Sequence, residues 1–259
     1  MLLGHALLTL SDRAALAAGN VWRVRERTEH EAAALFGALA DDLASSGGAA
    51  ELIALARRCA TDELRHAERC RSLVDFLAPD LAPLEPSRDV VLGPPAASSA
   101  ERALFTSVAL GCITESLSTA LLLEMRQHAG PSLVRDVIGE ILEDEVRHSR
   151  LGWAHLAFEA SRRDVSSLAS AIPAMLRAAL DTEGAIVASN LDAIERESLR
   201  GYGILPMPDV LRITRTAIAE VIQPGLAHFR IVVPIASHAR CAENTEIGPR
   251  AIEISRDRE

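Results

Sequence analysis

The sequence contains no lysine and very few aromatic residues, and all 27 of its basic side chains are arginine. Aromatic residues make up 3% of the 259 positions, whereas 49% are hydrophobic, mostly Ala and Leu. β-Branched runs and hairpin turn pairs are nearly absent. Because strong helix formers dominate, the composition predicts an all-α fold. The length allows one large hydrophobic core, alone or with an added subdomain.

Excess acidic charge and scarce cysteine restrict the function classes further. The net charge of −9 disfavours a nucleic-acid partner held mainly through phosphates, although a tRNA substrate is left open. The cysteines are too few and too scattered for a disulfide framework and fit a reduced cytoplasm; they are Cys59, Cys70, Cys112 and Cys241. The first residues lack the basic leader and cleavage site of a signal peptide, so we expect a cytoplasmic location.

One stretch, 103–123, is long and apolar enough to resemble a membrane span. It contains Glu115 and several Ser and Thr residues. We therefore interpret it as a buried helix of a soluble bundle, and we expect no membrane association.

Glycine and proline divide the first part of the chain into four long helices. The segments 45–48 and 130–131 are predicted to be short turns, and 78–99, which carries five prolines, is predicted to be a long crossover. The predicted helices cover 20–45, 49–77, 99–128 and 132–162. Two short turns that flank one long crossover are typical of a four-helix bundle with this connectivity.

Beyond this bundle the pattern is less regular. It predicts one or two additional C-terminal helices, within 167–199 and 207–229, and a short packing helix within 1–18. After Arg230 the helical period fades. We therefore predict a helical bundle domain over 1–230 and an extended or flexible tail over 231–259.

The sequence word D-E-x-R-H occurs twice, each time inside a long predicted helix. Asp62 to His66 form the first copy, and Asp144 to His148 form the second copy 82 residues later. Because positions i and i+3 of a helix share a face, the Glu and His of each copy can bind the same metal ion. A single E-x-x-H motif is weak evidence for a metal site. Two copies, one on the second helix of each hairpin, are a much more specific signal.

A two-metal site of this kind also needs one glutamate from each of the other two helices. Glu115 is the clear choice on the third helix, since an isolated carboxylate among apolar residues is costly unless it is paired or bound to metal. On the first helix, Glu29 lies in register with an apolar stripe that should face the core. Glu26 is the reserve candidate, and Glu31 lies on a more mixed face.

The depth of these glutamates along the bundle agrees with their convergence. Counted from the midpoint between positions 46 and 47, Glu29 and Glu63 lie 17.5 and 16.5 residues away; counted from Gly130, Glu115 and Glu145 each lie 15 residues away. At about 1.5 Å of rise per residue, the members of each pair lie at nearly the same level. The predicted metal ligands are therefore Glu29, Glu63, His66, Glu115, Glu145 and His148.

Carboxylate oxygens and imidazole nitrogens in this proportion suit two Fe ions, with Mn/Fe or Mn/Mn pairs also compatible. Asp62 and Asp144 each precede a motif glutamate. They are expected either to accept the imidazole N–H of the facing motif, which would fix its tautomer, or to be ordinary surface aspartates. Arg65 and Arg147 could form ion pairs with these aspartates or with groups at the outer edge of the site.

The motif order Glu, E-x-x-H, Glu, E-x-x-H resembles that of the ferritin-like di-iron carboxylate superfamily. Further similarities to bacterial members are Glu29-His30 on the first helix and the segments Gly111–Glu115, 203–206 and 221–224. The resemblance covers about residues 20–230. It implies a ferritin-like four-helix bundle in which the six residues above bind two metal ions, with Glu63 and Glu145 bridging them.

The superfamily contains several chemistries, so the fold and the site leave the reaction open. The preferred hypothesis is a di-iron oxidase or oxygenase that uses O2 as co-substrate to oxidise a small organic molecule. The alternatives are a ferroxidase or iron-handling protein and a non-catalytic helical protein. An electron donor such as a ferredoxin is a compatible partner, and a homodimer is a compatible assembly.

Overall fold

The computed structural model describes residues 10–86, 92, 97–184 and 191–232. Its long helices are α1 (Asp12–Ser45), α2 (Ala50–Leu77), α3 (Ser99–His128) and α4 (Ser132–Ala160). These are followed by α5 (Ile172–Gly184), α6 (Ala193–Leu199) and α7 (207–228). Short 3₁₀ turns cover Ser166–Ser170 and Arg200–Tyr202, and no strand occurs in the described ranges. The all-α bundle with additional C-terminal helices is confirmed.

Two details of the predicted helices are wrong. The first helix begins at Asp12 and not near residue 20, because Ser11 caps it by accepting a hydrogen bond from the Ala14 amide and because Ala14 and Ala18 are fully buried. Residues 12–18 therefore belong to α1 and not to a separate packing helix. The stretch 167–199 is not one helix, since Asp192 starts a new one by accepting a hydrogen bond from the Glu195 amide.

Parts of two other predictions fall outside the described residues. These are positions 1–9 of the predicted packing helix and positions 233–259 of the predicted tail, which include Cys241. The division into a domain over 1–230 and a tail over 231–259 stays a prediction.

The bundle core forms three apolar clusters that leave a polar layer between two of them. One cluster, at the end where α1 begins, contains Trp22, Leu73 and Ile138. A second, toward the α1–α2 turn, contains Phe36 and Leu151. On α2, Cys59 belongs to the second cluster and Cys70 to the first, and Glu63 and His66 lie between them. The motif residues are therefore enclosed by apolar layers on both sides along the bundle axis.

The third cluster joins α3 to the added helices. It contains Val108 and Ile113 of α3, Met175 of α5 and Ile222 of α7. Helix α3 is consequently buried on two sides, by the bundle and by the C-terminal helices. In the described part of the chain, α3 alone has the length and composition to cross a membrane, and its most apolar window is 72% buried inside the protein. This burial favours its interpretation as a core helix.

The middle of α3 departs from α-helical geometry. Residues Ser107–Thr114 form a π-helical segment, and Thr114 Oγ1 donates a hydrogen bond to the Ala109 carbonyl at 3.0 Å. The α-helical part resumes at Glu115. Such segments are wider than an α-helix and frequently occur at functional sites, because they reposition the side chains that follow.

Helices α3 and α4 come into close backbone contact at a pair of glycines, Gly111 and Gly152. A Cβ atom added to Gly152 would lie 2.6 Å from the Cys112 nitrogen and 2.7 Å from Gly111 Cα. Only glycine allows the two backbones to come this close. The contact lies next to the site, since Gly152 follows His148 by four residues and Gly111 precedes Glu115 by four.

Candidate metal centre

The two E-x-x-H motifs meet in the interior of the bundle. Glu63 and His66 of α2 and Glu145 and His148 of α4 each offer one ligand atom, and these four atoms lie within 4.8 Å of one another. All four side chains are buried, with exposed fractions of at most 2%. A group of oxygen and nitrogen donors at this spacing and burial can hold a metal ion.

Both imidazoles present the same nitrogen to the carboxylates. His66 Nδ1 lies 3.1 Å from Glu63 Oε2, and His148 Nδ1 lies 3.2 Å from Glu145 Oε2. The two rings are 5.6 Å apart between centroids. Each Nδ1 therefore faces the shared interior, and each Nε2 points away from it.

The other two helices bring their predicted glutamates to the same place. Glu29 Oε2 of α1 lies 3.9 Å from His66 Nδ1, and the Glu29 carboxyl hydrogen-bonds to Glu63. The Glu115 carboxyl of α3 hydrogen-bonds to Glu145. Glu115 is 3% exposed, and the Glu29 side chain is 14% exposed. The structure thus brings the six predicted residues together, and their role as metal ligands stays a prediction.

This group places an excess of negative charge in the interior, since four carboxyl groups lie close to two imidazoles. Burial, together with the charges of Glu63 and Glu145, raises the pKa of both Glu29 and Glu115 well above the ordinary value. Burial also opposes ionisation of Glu63, but the neighbouring imidazoles of His148 and His66 outweigh it and hold its pKa at about 2. Protons on Glu29 and Glu115 relieve this excess, and bound cations would do the same.

One oxygen at the centre of the group lacks a hydrogen bond. Glu63 Oε1 is buried and lies 2.8 Å from His148 Nδ1, yet no hydrogen bond of acceptable geometry forms within the described structure. An unsatisfied carboxylate oxygen in the interior is costly unless a cation occupies its lone pairs. Together with the four-Glu, two-His donor set, this atom fits a pair of bound divalent metal ions.

Two aspartates contact the outer nitrogens of the histidines, each from the facing motif. His66 Nε2 donates to Asp144 Oδ2 at 3.2 Å, whereas His148 Nε2 lies a looser 3.6 Å from Asp62 Oδ2. Because a carboxylate only accepts, the Asp144 contact keeps the proton on Nε2 and leaves Nδ1 free to bind metal.

A single arginine connects the two aspartates. The Arg65 guanidinium lies 2.9 Å from Asp62 Oδ1 and also contacts Asp144 Oδ2 across the α2–α4 groove. Arg147 pairs with Asp144 alone. Both histidines are therefore linked through an aspartate to the half-exposed Arg65 side chain. The repeated sequence motif did not predict this arrangement.

Replacing Asp144 by asparagine is expected to weaken metal binding about 10–100-fold. The amide can offer N–H to His66 Nε2, which would favour the tautomer with a proton on Nδ1. Titration with Fe(II) or Co(II) under anaerobic conditions measures the affinity. Asp62→Asn is the matched control and should have a smaller effect, because its contact with His148 is longer. Equal affinities for wild type and Asp144→Asn would contradict the proposed role of Asp144.

The alternative glutamates of α1 lie elsewhere. Glu26, the reserve candidate, is buried one turn before Glu29, with its Oε2 3.5 Å from Arg71 Nη1 of α2. The Glu31 side chain is 19% exposed and pairs with Arg27 at 3.7 Å. Of the three, Glu29 contacts a motif histidine, since its Oε2 lies 3.9 Å from His66 Nδ1.

Sequence reasoning gave little weight to several neighbours of the site. Cys59 lies next to His148, and Cys70 Sγ lies 4.0 Å from Glu29 Oε1. The Phe36 ring packs at 5.3 Å from the His148 ring. The helical spacing of Cys59, Glu63, His66 and Cys70 was a usable signal, because i, i+4, i+7 and i+11 share one face.

His155 does not join the metal centre. Its Nδ1 is 2.7 Å from Ser107 Oγ, and its ring lines a cavity of about 350 Å³ near the α1–α2 turn, with Phe158 and Glu159 among the other lining residues. Burial lowers the pKa of this imidazole, so its neutral form is favoured.

A four-helix bundle that encloses two E-x-x-H motifs and one glutamate from each remaining helix defines a ferritin-like di-iron carboxylate domain. The sequence comparison agrees, since residues 26–153 match the rubrerythrin family. This part of the chain belongs to the ferritin-like di-iron superfamily. No curated protein shows significant sequence similarity to the chain.

Proposed function

We propose that the protein is a di-iron oxidase or oxygenase that uses O2 to oxidise a small organic substrate. The observation that carries the proposal is the convergence of four glutamates and two histidines inside the bundle, with both imidazole Nδ1 atoms facing carboxylates. Bound iron would supply the binding and reduction of O2 and the oxidation of the substrate.

The chain's own residues would hold, orient and shield this centre. Glu29, Glu63, His66, Glu115, Glu145 and His148 would hold the metal ions. Asp144 fixes the His66 tautomer through the contact at 3.2 Å. Phe36 and Leu151 on one side, and Leu73 and Ile138 on the other, exclude water along the bundle axis. A dry, preorganised site suits oxidative chemistry because it limits side reactions of reactive species with solvent.

The helices beyond the bundle favour the hypothesis that the substrate is an organic compound and not iron itself. Helices α5 and α7 bury the outer side of α3 with Met175, Ile222 and other apolar residues. Helix α5 packs against the π-helical segment that leads into Glu115, and α7 packs against the part of α3 that begins at Glu115. This added apolar wall next to one predicted ligand helix favours a protein that accommodates a carbon compound at its centre. A subunit that only oxidises and stores iron has less need of it.

Anaerobic loading with ferrous iron followed by addition of O2 tests the proposal. We expect about two iron ions per chain and, with a chemical reductant present, O2 consumption that increases when a suitable member of a panel of small organic compounds is added. Product analysis by mass spectrometry then identifies the oxidised compound. Parallel loading with Mn(II) and with both metals establishes which metal pair supports the reaction.

A different outcome would favour a different function. Ferric iron that accumulates far beyond two ions per chain, in a multi-subunit cage, would identify an iron-storage protein. If the chain takes up no metal under these conditions, both the oxygenase and the iron-storage hypotheses are contradicted. The non-catalytic helical protein would then be the remaining hypothesis.

A further inference from the structure

A cavity of about 350 Å³ lies near the α1–α2 turn, outside the candidate metal centre. We call it the His155 cavity and define it by the residues of α4, and of the segment after α4, that line it: His155, Phe158, Glu159, Arg162 and Arg163. The two arginines are exposed and His155 is buried, so the cavity has an open mouth and an enclosed floor. Its volume lies at the lower end of the range of small-molecule sites, which suits a compact ligand.

The buried imidazole of this cavity has one ring nitrogen without a hydrogen bond. His155 is 2% exposed, and its Nδ1 lies 2.7 Å from Ser107 Oγ. Its Nε2 makes no hydrogen bond within the described ranges, since Glu159 Oε1, at 3.8 Å, is beyond hydrogen-bond distance. Polar atoms in the interior are nearly always paired, so this nitrogen marks a position for a ligand group or a water molecule.

Ser107 decides which nitrogen of His155 carries the proton. The Ser107 hydroxyl is 1% exposed and has His155 Nδ1 as its hydrogen-bond partner within the described residues. Because a buried hydroxyl proton without an acceptor is costly, the hydroxyl donates to Nδ1, and the proton of the neutral ring lies on Nε2. Burial lowers the pKa of this imidazole and so favours the neutral form. His155 therefore offers an N–H donor, and not an acceptor, at Nε2.

The charged side chains of the cavity leave one positive charge uncompensated. Arg163 Nε donates to Glu159 Oε2 at 2.6 Å, so these two charges neutralise each other. Arg162 has no ion-pair partner within the described ranges, and its guanidinium carbon lies 5.0 Å from the centroid of the Phe158 ring. Since Phe158 lies three residues after His155 on α4, the Arg162 side chain extends back along the helix toward the imidazole. The cavity thus combines a cation with a neutral N–H donor.

We propose that the His155 cavity binds a small organic carboxylate, which accepts a hydrogen bond from His155 Nε2 beside the positive charge of Arg162. Arg162 would supply a charge-assisted contact, which is roughly twice as strong as a hydrogen bond between neutral groups. The buried Leu43 and the ring of Phe158 line the same cavity and would contact the hydrocarbon part of the ligand.

The carboxylate site is distinct from the candidate metal centre. In the described structure, none of the six predicted metal ligands lines the cavity. His155 follows His148 by seven residues, or about 10 Å along α4, and the fully buried Leu151 lies between them. A carboxylate in this cavity would therefore not contact bound metal ions, and the inference does not rest on the proposed oxidation.

Charge and lining favour an organic carboxylate over other ligands. A monoanion balances the uncompensated positive charge, whereas the second charge of a phosphate dianion would lie close to Glu159. Inorganic phosphate also gains nothing from the apolar wall that Leu43 and Phe158 form. A divalent cation would be repelled by the arginines, and at His155 Nε2 it would meet an N–H in place of the lone pair that metal binding needs.

Titration of the metal-free protein with benzoate tests the proposal. Isothermal titration calorimetry should detect saturable binding with a dissociation constant of about 1 mM, a strength that suits so small a ligand. NMR of the protein with ¹⁵N-labelled histidine should show that the signal of His155 Nε2 shifts in the complex. Benzamide has the same ring without the charge, and it should bind about tenfold more weakly.

An exposed arginine elsewhere in the bundle provides the matched control. R162Q removes the uncompensated charge and should weaken benzoate binding by about tenfold. R126Q makes the same change beside the α3–α4 turn, at an exposed position outside the cavity, and should change the affinity by no more than about twofold. H155L removes the N–H donor and should weaken binding by about fivefold. Thermal unfolding establishes that each variant is folded; if H155L is not, the two arginine variants decide the outcome.

Three results would overturn the proposal. The first is no saturable benzoate binding up to about 10 mM, tenfold above the expected dissociation constant. The second is equal weakening in R162Q and R126Q. The third is inorganic phosphate that displaces benzoate and binds more tightly than benzoate does. Benzoate binding that is lost in R162Q and kept in R126Q supports the carboxylate site, whether or not the iron-loaded protein consumes O2.

Discussion

Replacing Glu115 by alanine is expected to remove most of the bound iron while leaving the helical content nearly unchanged. Glu115 is 3% exposed, and its carboxyl contacts Glu145, so its removal takes one carboxylate and its negative charge away from the predicted metal ligands. The metal-free fold tolerates the change better, because burial of this carboxyl already disfavours its ionised form. Iron per chain after anaerobic loading, together with far-ultraviolet circular dichroism, measures both effects.

The stability of the loaded protein gives a second measure of the same prediction. A metal that binds only the folded state stabilises it, by about 4 kcal/mol when the free metal concentration is 1,000 times the dissociation constant. Wild type should therefore unfold at a higher temperature with ferrous iron than without it, and Glu115→Ala should lose most of this difference.

Two further variants test whether iron loss in Glu115→Ala comes from the missing charge and whether it is specific to this glutamate. Glu115→Gln keeps the size but not the charge, so iron loss there would show that charge is needed and not only volume. Glu124→Ala removes a glutamate from the same helix at a position that pairs with Arg212 at 3.4 Å, and it should keep wild-type iron. Full iron occupancy in Glu115→Ala would show that Glu115 is not a metal ligand.

Replacing Gly152 by alanine is expected to destabilise the fold by about 2–3 kcal/mol and to weaken iron binding as well. The added Cβ would lie 2.6 Å from the Cys112 nitrogen and the Gly111 carbonyl carbon, and both are backbone atoms that cannot rotate away. Helices α3 and α4 must move apart at a point four residues from His148 on α4 and four residues from Glu115 on α3. Chemical denaturation of the metal-free protein measures the loss of stability.

The control for this prediction is a glycine with free space around it. A Cβ added to Gly37 in α1 meets no atom within 4 Å. Gly37→Ala should therefore stabilise the protein by about 0.5–1 kcal/mol, because alanine is the better helix former. Stabilisation in both variants would show that the α3–α4 contact is less tight than the structure indicates.

The helices and the motif residues could be predicted because their signals are local. A Gly-Gly turn, a proline-rich crossover and the i, i+3 spacing of each E-x-x-H word are all present in short segments. The choice of Glu29 over Glu31 also followed from one helix, since the apolar stripe that includes Trp22 and Phe36 sets its phase. These predictions needed no knowledge of how the helices pack.

Other features could not be read from local patterns because they join distant parts of the chain. Arg65 and Arg147 occupy equivalent positions in the repeated word, yet only Arg65 reaches both aspartates. The early start of α1 has a local signal in the Ser11 cap, but the burial of Ala14 and Ala18 depends on tertiary contacts. The π-helical segment before Glu115 was likewise not predicted.

The amino-acid sequence by itself determined that the chain is helical, where its long helices lie and which side chains carry ligand chemistry, because helical period and residue type are local properties. The tertiary structure alone decided that Arg65 contacts both aspartates, that Gly111 and Gly152 allow the close approach of α3 to α4, and that the additional helices cover the outer side of α3. Those arrangements result from the packing of helices that are far apart along the chain.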